Sequence, residues 1–338
     1  MTSHPAAESH HRFNFEAIRE DRPGAKWQRL FHRLWPAYQR WYLAEGPAAR
    51  PNLAQCRRAL RTHMPELLPI YDRLTEMAGG SDLVARFLSL YNPPAYLASC
   101  SQAVWTKGGE PWLIRNYDYA PKLCEGVMLE TRWSGKRVIA MSDCIWGALD
   151  GMNEAGLAAS ITFGGRRVVG DGFGIPIIIR YILEFCTTTA EAAEVLGRVP
   201  THMAYNVTVL DRSGAYVTAL LAPDRAPLLL QMPVATNHQG DVEWHDYARA
   251  TATVERERFL QMRLALPETT PEKLADAFLE PPLHTTAYHN GIGTIYTAVY
   301  RPAAGEVVLR WPGRTWRQSF GAFTEGHKHV AFEAAANT

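Results

Sequence analysis

Residues 100–119 read CSQAVWTKGGEPWLIRNYDY, and the grammar of the chain changes at the first of them. Gln102 to Thr106 and Trp112 to Tyr117 are short extended runs, and Lys107-Gly108-Gly109-Glu110 between them is a glycine-centred connection of the kind that joins hairpin strands. Upstream, apolar residues recur at helical spacing. Leu30, Phe31, Leu34, Trp35, Tyr38 and Tyr42 follow a helical period over Trp27 to Glu45, with Pro36 expected to kink or split that helix. Further helices are predicted over Leu53 to Thr62, over Glu66 to Met77 behind Pro65, and over Asp82 to Tyr91 behind the N-cap Ser81.

Downstream, strands prevail. Val127 to Trp133 and Arg137 to Ser142 form a second hairpin around Ser134-Gly135, and Leu157 to Phe163 is another strand. Helices are predicted over Ile175 to Phe185 and Ala190 to Leu196, the latter capped by Thr189. Strands return at Tyr205 to Leu210, Ala215 to Leu220 and Leu228 to Thr236. A long helix from Asp246 to Leu264 and a shorter one from Pro271 to Phe278 follow, and strands at Thr294 to Tyr300 and Val307 to Trp311 close the pattern. Hairpins interrupted by helices indicate an α+β layered sandwich rather than alternating βαβ units. Three regions result: a polar, His-rich tail at 1–23 (His4, His10, His11) expected to be disordered, a helical region at 24–99, and a sheet-rich domain at 100–338.

Composition narrows the function. With 338 residues and an apolar fraction of 47%, the chain can bury a substantial core. Lys plus Arg (35) nearly cancels Asp plus Glu (34) and no stretch concentrates one sign, which argues against nucleic acid and against a polybasic membrane anchor. A small organic substrate is the expected partner, and self-association is left open. The start lacks a signal-peptide pattern and no run is apolar enough to span a bilayer, so a cytoplasmic, soluble protein is expected. The cysteines (Cys56, Cys100, Cys124, Cys144, Cys186) are odd in number and without a C-x-x-C pair, which argues against a disulfide framework and a structural zinc site. Neither a cofactor nor a metal is expected.

Only Cys100 is followed by an ordered set of polar motifs: Arg115-Asn116-Tyr117-Asp118, then Gly151-Met152-Asn153-Glu154-Ala155-Gly156-Leu157, then Thr236-Asn237-His238. With Cys100-Ser101 and a Pro-Glu-Leu helix before it, this set resembles the N-terminal-nucleophile (Ntn) hydrolases of the isopenicillin N acyltransferase-like family, related to the choloylglycine hydrolases. The resemblance covers roughly residue 65 onward. It implies an αββα fold, two antiparallel sheets packed between helical layers, and a pro-region cut before the nucleophile. The 99 residues ahead of Cys100 favour the acyltransferase-like branch.

The chemistry accounts for these residue types. A free thiol with a pKa of about 8.5 is only a few per cent thiolate at pH 7 and needs a base or a cation nearby. In the family that base is the α-amino group of the same Cys, with a reference pKa of about 7.7–8.0. Cleavage between Ser99 and Cys100 would create it, leaving fragments of 99 and 239 residues (338 − 99). The resemblance then implies that Asp118 orients the new amine, Arg115 places positive charge near the thiolate, Asn237 and secondarily Asn153 donate to the oxyanion, and Arg256 stands near the site. Positions 115 and 118 face opposite sides of a regular strand, so one is expected at its end or on a bulge. Competing readings are turn chemistry for Asn153 and a solvated helix face for Arg256. Ser99 stands where the family often has Gly, and an uncut chain would instead need His238, His202 or His245 as base.

The expected enzyme is a cysteine amidohydrolase or acyltransferase that takes a linear amide or thioester of a small molecule through an acyl-enzyme on Cys100. The rival from another class is a binding protein without catalysis on the same scaffold.

Overall fold

The computed structural model describes residues 11–288 and 291–332. Its first strand, β1 (His11–Glu20), precedes four helices, α1 (Ala25–Tyr42), α2 (Leu53–His63), α3 (Leu68–Met77) and α4 (Asp82–Leu88). Six strands follow: β2 (Ser99–Trp105), β3 (Trp112–Tyr119), β4 (Val127–Thr131), β5 (Val138–Asp143), β6 (Gly147–Asn153) and β7 (Leu157–Phe163). After α5 (Ile175–Phe185) and α6 (Thr189–Arg198) come β8 (Tyr205–Asp211), β9 (Tyr216–Ala222), β10 (Arg225–Leu230) and the short β11 (Val234–Ala235). Helices α7 (His245–Ala250), α8 (Thr253–Ala265) and α9 (Pro271–Ala277) lead to β12 (Gly293–Arg301), β13 (Glu306–Trp311), β14 (Arg314–Ser319) and β15 (Gly326–Phe332).

These strands make two sheets. One has nine strands in the order β10-β9-β8-β7-β6-β5-β4-β1-β15, the other six in the order β11-β2-β3-β12-β13-β14. All neighbours are antiparallel except β1 and β4, which run parallel. The sheets meet through β2 and β3 against β7. Helices α5 and α6 cover the far face of the nine-stranded sheet, and α8 covers that of the six-stranded one. The α+β sandwich of helix, sheet, sheet and helix is therefore present.

Alternation along β2 and β3 sorts their side chains between two cores. Cys100, Val104, Leu113 and Tyr117 belong to the main core between the sheets. Ala103, Trp105 and Ile114 belong to a second core with Leu260, Leu264, Leu274 and Phe278 of the covering helices. Helix α5 is largely apolar and buried along its length, packed on β6 and β7 on one side and met by the segment ahead of Cys100 on another. Tyr181 of α5, for example, donates to Glu66 Oε2 at 2.7 Å.

Several elements depart from expectation. Residues 11–20 are not part of a tail: β1 is an inner strand, paired with β15 on one side and β4 on the other. Its charged residues mask an alternating set, Phe13, Phe15 and Ala17, of which Phe15 and Ala17 are fully buried. His4 and His10 lie outside the described residues. The helix expected over 246–264 is two helices, broken at Ala252, whose φ of 48° is left-handed. Helix α1 runs through Pro36. The cap of α6 is Thr188, one residue earlier than expected, in a capping box with Glu191. Strand β6 ends at Asn153, directly before the hairpin turn at 154–156, and Gly151 is needed within the strand because a Cβ would come within 2.8 Å of Ile139 O. No helix among the described residues is long and apolar enough to cross a membrane.

Candidate active site

Cys100 lies opposite Tyr117 in the β2–β3 ladder, and Gln102 lies opposite Arg115, so all four side chains leave the same face, toward the nine-stranded sheet. Arg115 reaches diagonally to the nucleophile candidate, with Nη2 3.0 Å from Cys100 Sγ. The guanidinium is fully buried. Its charge is answered by Asp150 of β6, an ion pair closed to solvent on both sides. Nη2 also donates to Ile161 O (3.1 Å), and Nη1 lies 3.2 Å from Tyr296 Oη. Tyr296 donates to Asp150 Oδ2 at 2.7 Å and Tyr300 to Oδ1. A residue of one sheet is thus locked to the other, and the positive charge beside the thiol cannot swing away.

The opposite face of β2 handles the main chain of the same residue. Ser99, Ser101 and Asp118 point there, toward α8. Arg256, one turn into α8, is 2% exposed and far from a solvated helix face. Its Nη1 donates to Cys100 O and to Ser101 Oγ, both at 2.7 Å, and its Nη2 donates to Ser99 Oγ (3.0 Å) and Asn237 Oδ1 (2.8 Å). Asn237 Oδ1 also accepts from the Cys100 N–H at 2.9 Å and from the Ser99 hydroxyl at 3.2 Å. Since a backbone N–H and a guanidinium only donate, that atom is the amide oxygen, and Nδ2 is left to donate to Phe163 O at 3.1 Å. Asp118 stands 3.6 Å from Arg256 and accepts from Thr294 Oγ1 at 2.8 Å. Tyr247 holds Ala98 O at 2.6 Å, just before the Ser99–Cys100 peptide bond.

Burial dominates the electrostatics. It pushes the Cys100 thiol up to about 11, with Arg115 pulling the other way. The same cause raises Asp118 to about 6, opposed by Arg256 and by the Thr294 hydrogen bond. In the uncut chain Cys100 is therefore a protonated thiol at neutral pH, flanked by a cation but with no base of its own.

Of the residues expected from sequence, Cys100, Arg115, Asp118, Asn237 and Arg256 come together. Asn153 does not. Its Nδ2 donates to Leu183 O and Cys186 O at the end of α5, and its Oδ1 accepts from Leu157 N–H, so the side chain ties a helix end to a turn and has no donor to spare. Arg115 and Asp118 face opposite sides of β3; the pairing with β2 is regular, and Asp118, one residue from the end of the strand, lies at the bulge in the pairing with β12. Arg115 meets the Cys100 sulfur on one face, and on the other Asp118 stands beside Arg256, which holds Cys100 O. The expected donor atom of Asn237 points away from Cys100. No histidine among the described residues bonds to the thiol: His238 faces Glu257 and the Thr253 hydroxyl, His202 is buried against Phe173 O with its pKa lowered to about 4, and His245 is exposed at the start of α7. Asp150, Tyr296, Tyr300 and Tyr247 had no role assigned from sequence, and Ser99 was named only as the residue before the cut. For Asp150 a signal existed, an acidic residue in an otherwise apolar run directly before Gly151.

Residues 105–316, more than half of the 338, match the family model described as acyl-coenzyme A:6-aminopenicillanic acid acyl-transferase. No curated protein matches the chain in sequence. Solved structures similar to it include penicillin V acylase from Agrobacterium tumefaciens, 15% identical over 68% of this chain and 90% of that one, with a TM-score of 0.48. A mutant of conjugated bile acid hydrolase from Clostridium perfringens is 12% identical over 71% of this chain and 99% of that one, with a TM-score of 0.42. The Caenorhabditis elegans ortholog of N-acylethanolamine-hydrolyzing acid amidase is 16% identical over 60% of this chain and 93% of that one, with a TM-score of 0.44.

Proposed function

The chain belongs to the acyl-coenzyme A:6-aminopenicillanic acid acyl-transferase family of Ntn hydrolases, and from that premise we propose that Cys100, once it is the N-terminus of its own fragment, attacks a small-molecule amide or thioester and carries its acyl group. The observation that supports this most is the division of labour at one residue: Arg115 Nη2 at 3.0 Å from the sulfur, Asn237 Oδ1 at 2.9 Å from the nitrogen. Any buried N–H needs an acceptor; this one has a side-chain oxygen that Arg256 also holds, beside the bond to be cut.

Maturation begins with an N-to-S shift. The Cys100 thiol adds to the Ser99 carbonyl carbon, the C–N bond breaks, and the thiol proton passes to the departing nitrogen. A thioester between Ser99 and Cys100 Sγ results, with Cys100 carrying a free amine. Water then hydrolyses the thioester, which gives a Ser99 carboxylate and restores the thiol. Asn237 and Asp118 keep the released amine beside the sulfur, and Arg256, bonded to the Ser99 hydroxyl and to Cys100 O, holds both ends of the cleaved bond in place. Ser99 is accommodated there by partners of its own.

In turnover the amine takes the thiol proton and the thiolate, paired with Arg115, adds to the substrate carbonyl. The proton returns to the leaving amine or thiol, and an acyl-enzyme forms. Water or an acceptor amine then releases the acyl group and regenerates the thiol.

The test is to incubate the protein with a panel of acyl amides and acyl thioesters, quench, and map the acyl adduct by mass spectrometry. The adduct is expected on Cys100 and is expected to be absent from the Cys100→Ala variant. Turnover that survives Cys100→Ala, or an adduct confined to Cys56, Cys144 or Cys186, would refute the reading.

A further inference from the structure

Tyr117, the inner-face neighbour of Cys100, is also a wall of a cavity of about 200 Å³. Leu34, Tyr38 and Trp41 of α1, with Tyr96, give that cavity an aromatic and apolar lining, but two carboxylic acids, Glu125 and Asp143, stand in it as well. Their provision of donors is incomplete. One phenol proton, that of Tyr38, serves Glu125 Oε1 (2.5 Å) and Asp143 Oδ1 (3.2 Å), and Ile145 N–H adds a bond to Glu125 Oε1 at 2.7 Å. Glu125 Oε2 is buried with no partner in hydrogen-bond geometry; the Ser142 hydroxyl, also unpaired, stands near enough to hold the Glu125 acid down somewhat, as the Cys144 N–H and thiol do for Asp143. The nearest cations do not neutralise them: Arg33 is paired with Glu16, Lys122 is exposed at the rim, and neither makes an ion pair with the two acids.

The turn that follows Asp143, and whose Ile145 N–H bonds to Glu125, is strained. Cys144 and Ile145 have φ of 54° and 74°, two successive non-glycine residues in the left-handed region, and the second is β-branched. Their conformation is held by contacts to the pair and to α1: Cys144 N–H to Tyr38 Oη at 3.0 Å, Ile145 N–H to Glu125, and Trp27 Nε1–H to Ile145 O at 3.3 Å. Strain retained by so many partners is characteristic of a functional position. Burial pushes both acids up, Asp143 to about 7, where the charge of Glu125 adds to the effect.

We propose that this cavity receives a cationic nitrogen of the substrate: an ammonium held between Glu125 and Asp143, on an apolar body packed against Tyr38, Trp41 and Tyr96, across Tyr117 from the carbonyl that Cys100 attacks. An ammonium brings three donors to the acceptors that lack them and a charge that two buried carboxylates answer, and the aromatic walls favour it further. A free carboxylate in the same place would meet two acids, offset only by the phenols of the wall and by Lys122 at the rim. The proposal rests on the Cys100 acyl-transfer reading only for its link to a scissile bond. It also gives the segment ahead of Cys100 a part in specificity, because α1 and Tyr96 supply much of the wall.

The test is calorimetric, with three probes of one shape, 4-phenylbutylamine, 4-phenylbutanol and 4-phenylbutyrate, titrated into the wild-type protein and into Asp143→Asn and Glu125→Gln. The amine is expected to bind at least about tenfold tighter than the alcohol, and the variants to reduce that ratio toward one. Equal affinity for amine and alcohol in the wild type, or tighter binding of the carboxylate, overturns the proposal whether or not the variants fold. Turnover of 6-aminohexanoyl anilide against the hexanoyl amide of 1,6-diaminohexane tells whether the ammonium belongs to the acyl or the amine side. Amine preference without turnover of either compound fails the acyl-transfer reading and keeps the cavity. Turnover of neutral amides without amine preference does the reverse.

Discussion

The nucleophile's environment is set by a few buried charges, each of which makes a measurable demand. Arg115 is closed to solvent and Asp150 is its only carboxylate partner among the described residues. Asp150→Asn keeps the shape and removes the counter-charge. It is expected to cost about 3–5 kcal/mol, read as a lower denaturant midpoint. Asp118 makes a different prediction. Its pKa is raised to about 6, above the ~3.9 of a free aspartate, so the folded state favours the protonated form. Its contribution to stability is present below about 3.9 and is lost as the pH rises through 6. Function runs the other way, because the carboxylate is the stronger acceptor for the amine of the cut chain. The turnover rate of the processed protein should rise between pH 5 and 7, and this rise should be lost in Asp118→Asn. Five of the six site residues named from sequence are in the cluster because the family's motifs could be matched to them in order along the chain. Asp150, Tyr296 and Tyr300 had no role assigned in that way, since what makes them matter is contact across two sheets and long stretches of chain. Asn153 misled because a turn Asn and a site Asn look alike in one dimension.

Individual elements were readable where their period was strong and unmarked where a break had no glycine or proline. Helices α1, α2, α5 and α9 lie where apolar spacing puts them. The division between α7 and α8 was hidden, because Ala252 adopts a left-handed φ of 48° that nothing in the local sequence announces. That break decides where α8 begins and hence where Arg256 points, with its Nε on Thr251 O at 2.8 Å. Ala252→Gly relieves the steric cost of the left-handed conformation. A gain of up to about 1 kcal/mol, seen as a higher Tm, is expected with processing unchanged. A fall in Tm would mean that Ala252 is held there by contacts of its methyl group. Strand β6 was obscured by Gly147 and Gly151, which are rare in strands and are required in this one by close neighbours.

At the scale of the molecule, the region ahead of Cys100 is part of the fold. Strand β1 sits between β4 and β15, and α1 packs Trp27, Leu30 and Phe31 into the main core. A cut at Ser99–Cys100 would therefore leave an inner strand and the covering helices in place, and the two fragments should co-elute in native gel filtration and separate only in denaturant. The layered architecture was legible from the switch of grammar at residue 100, whereas the return of the first strand to the sheet was not, because pairing with residues more than three hundred positions away leaves no local trace. The account as a whole depends on one covalent event. Intact-mass analysis and N-terminal sequencing of active protein test it most directly. The account predicts fragments of 99 and 239 residues, the second beginning Cys-Ser-Gln, with Cys100→Ala remaining one chain of 338. Full activity in a preparation that is uniformly a single uncut chain would contradict it.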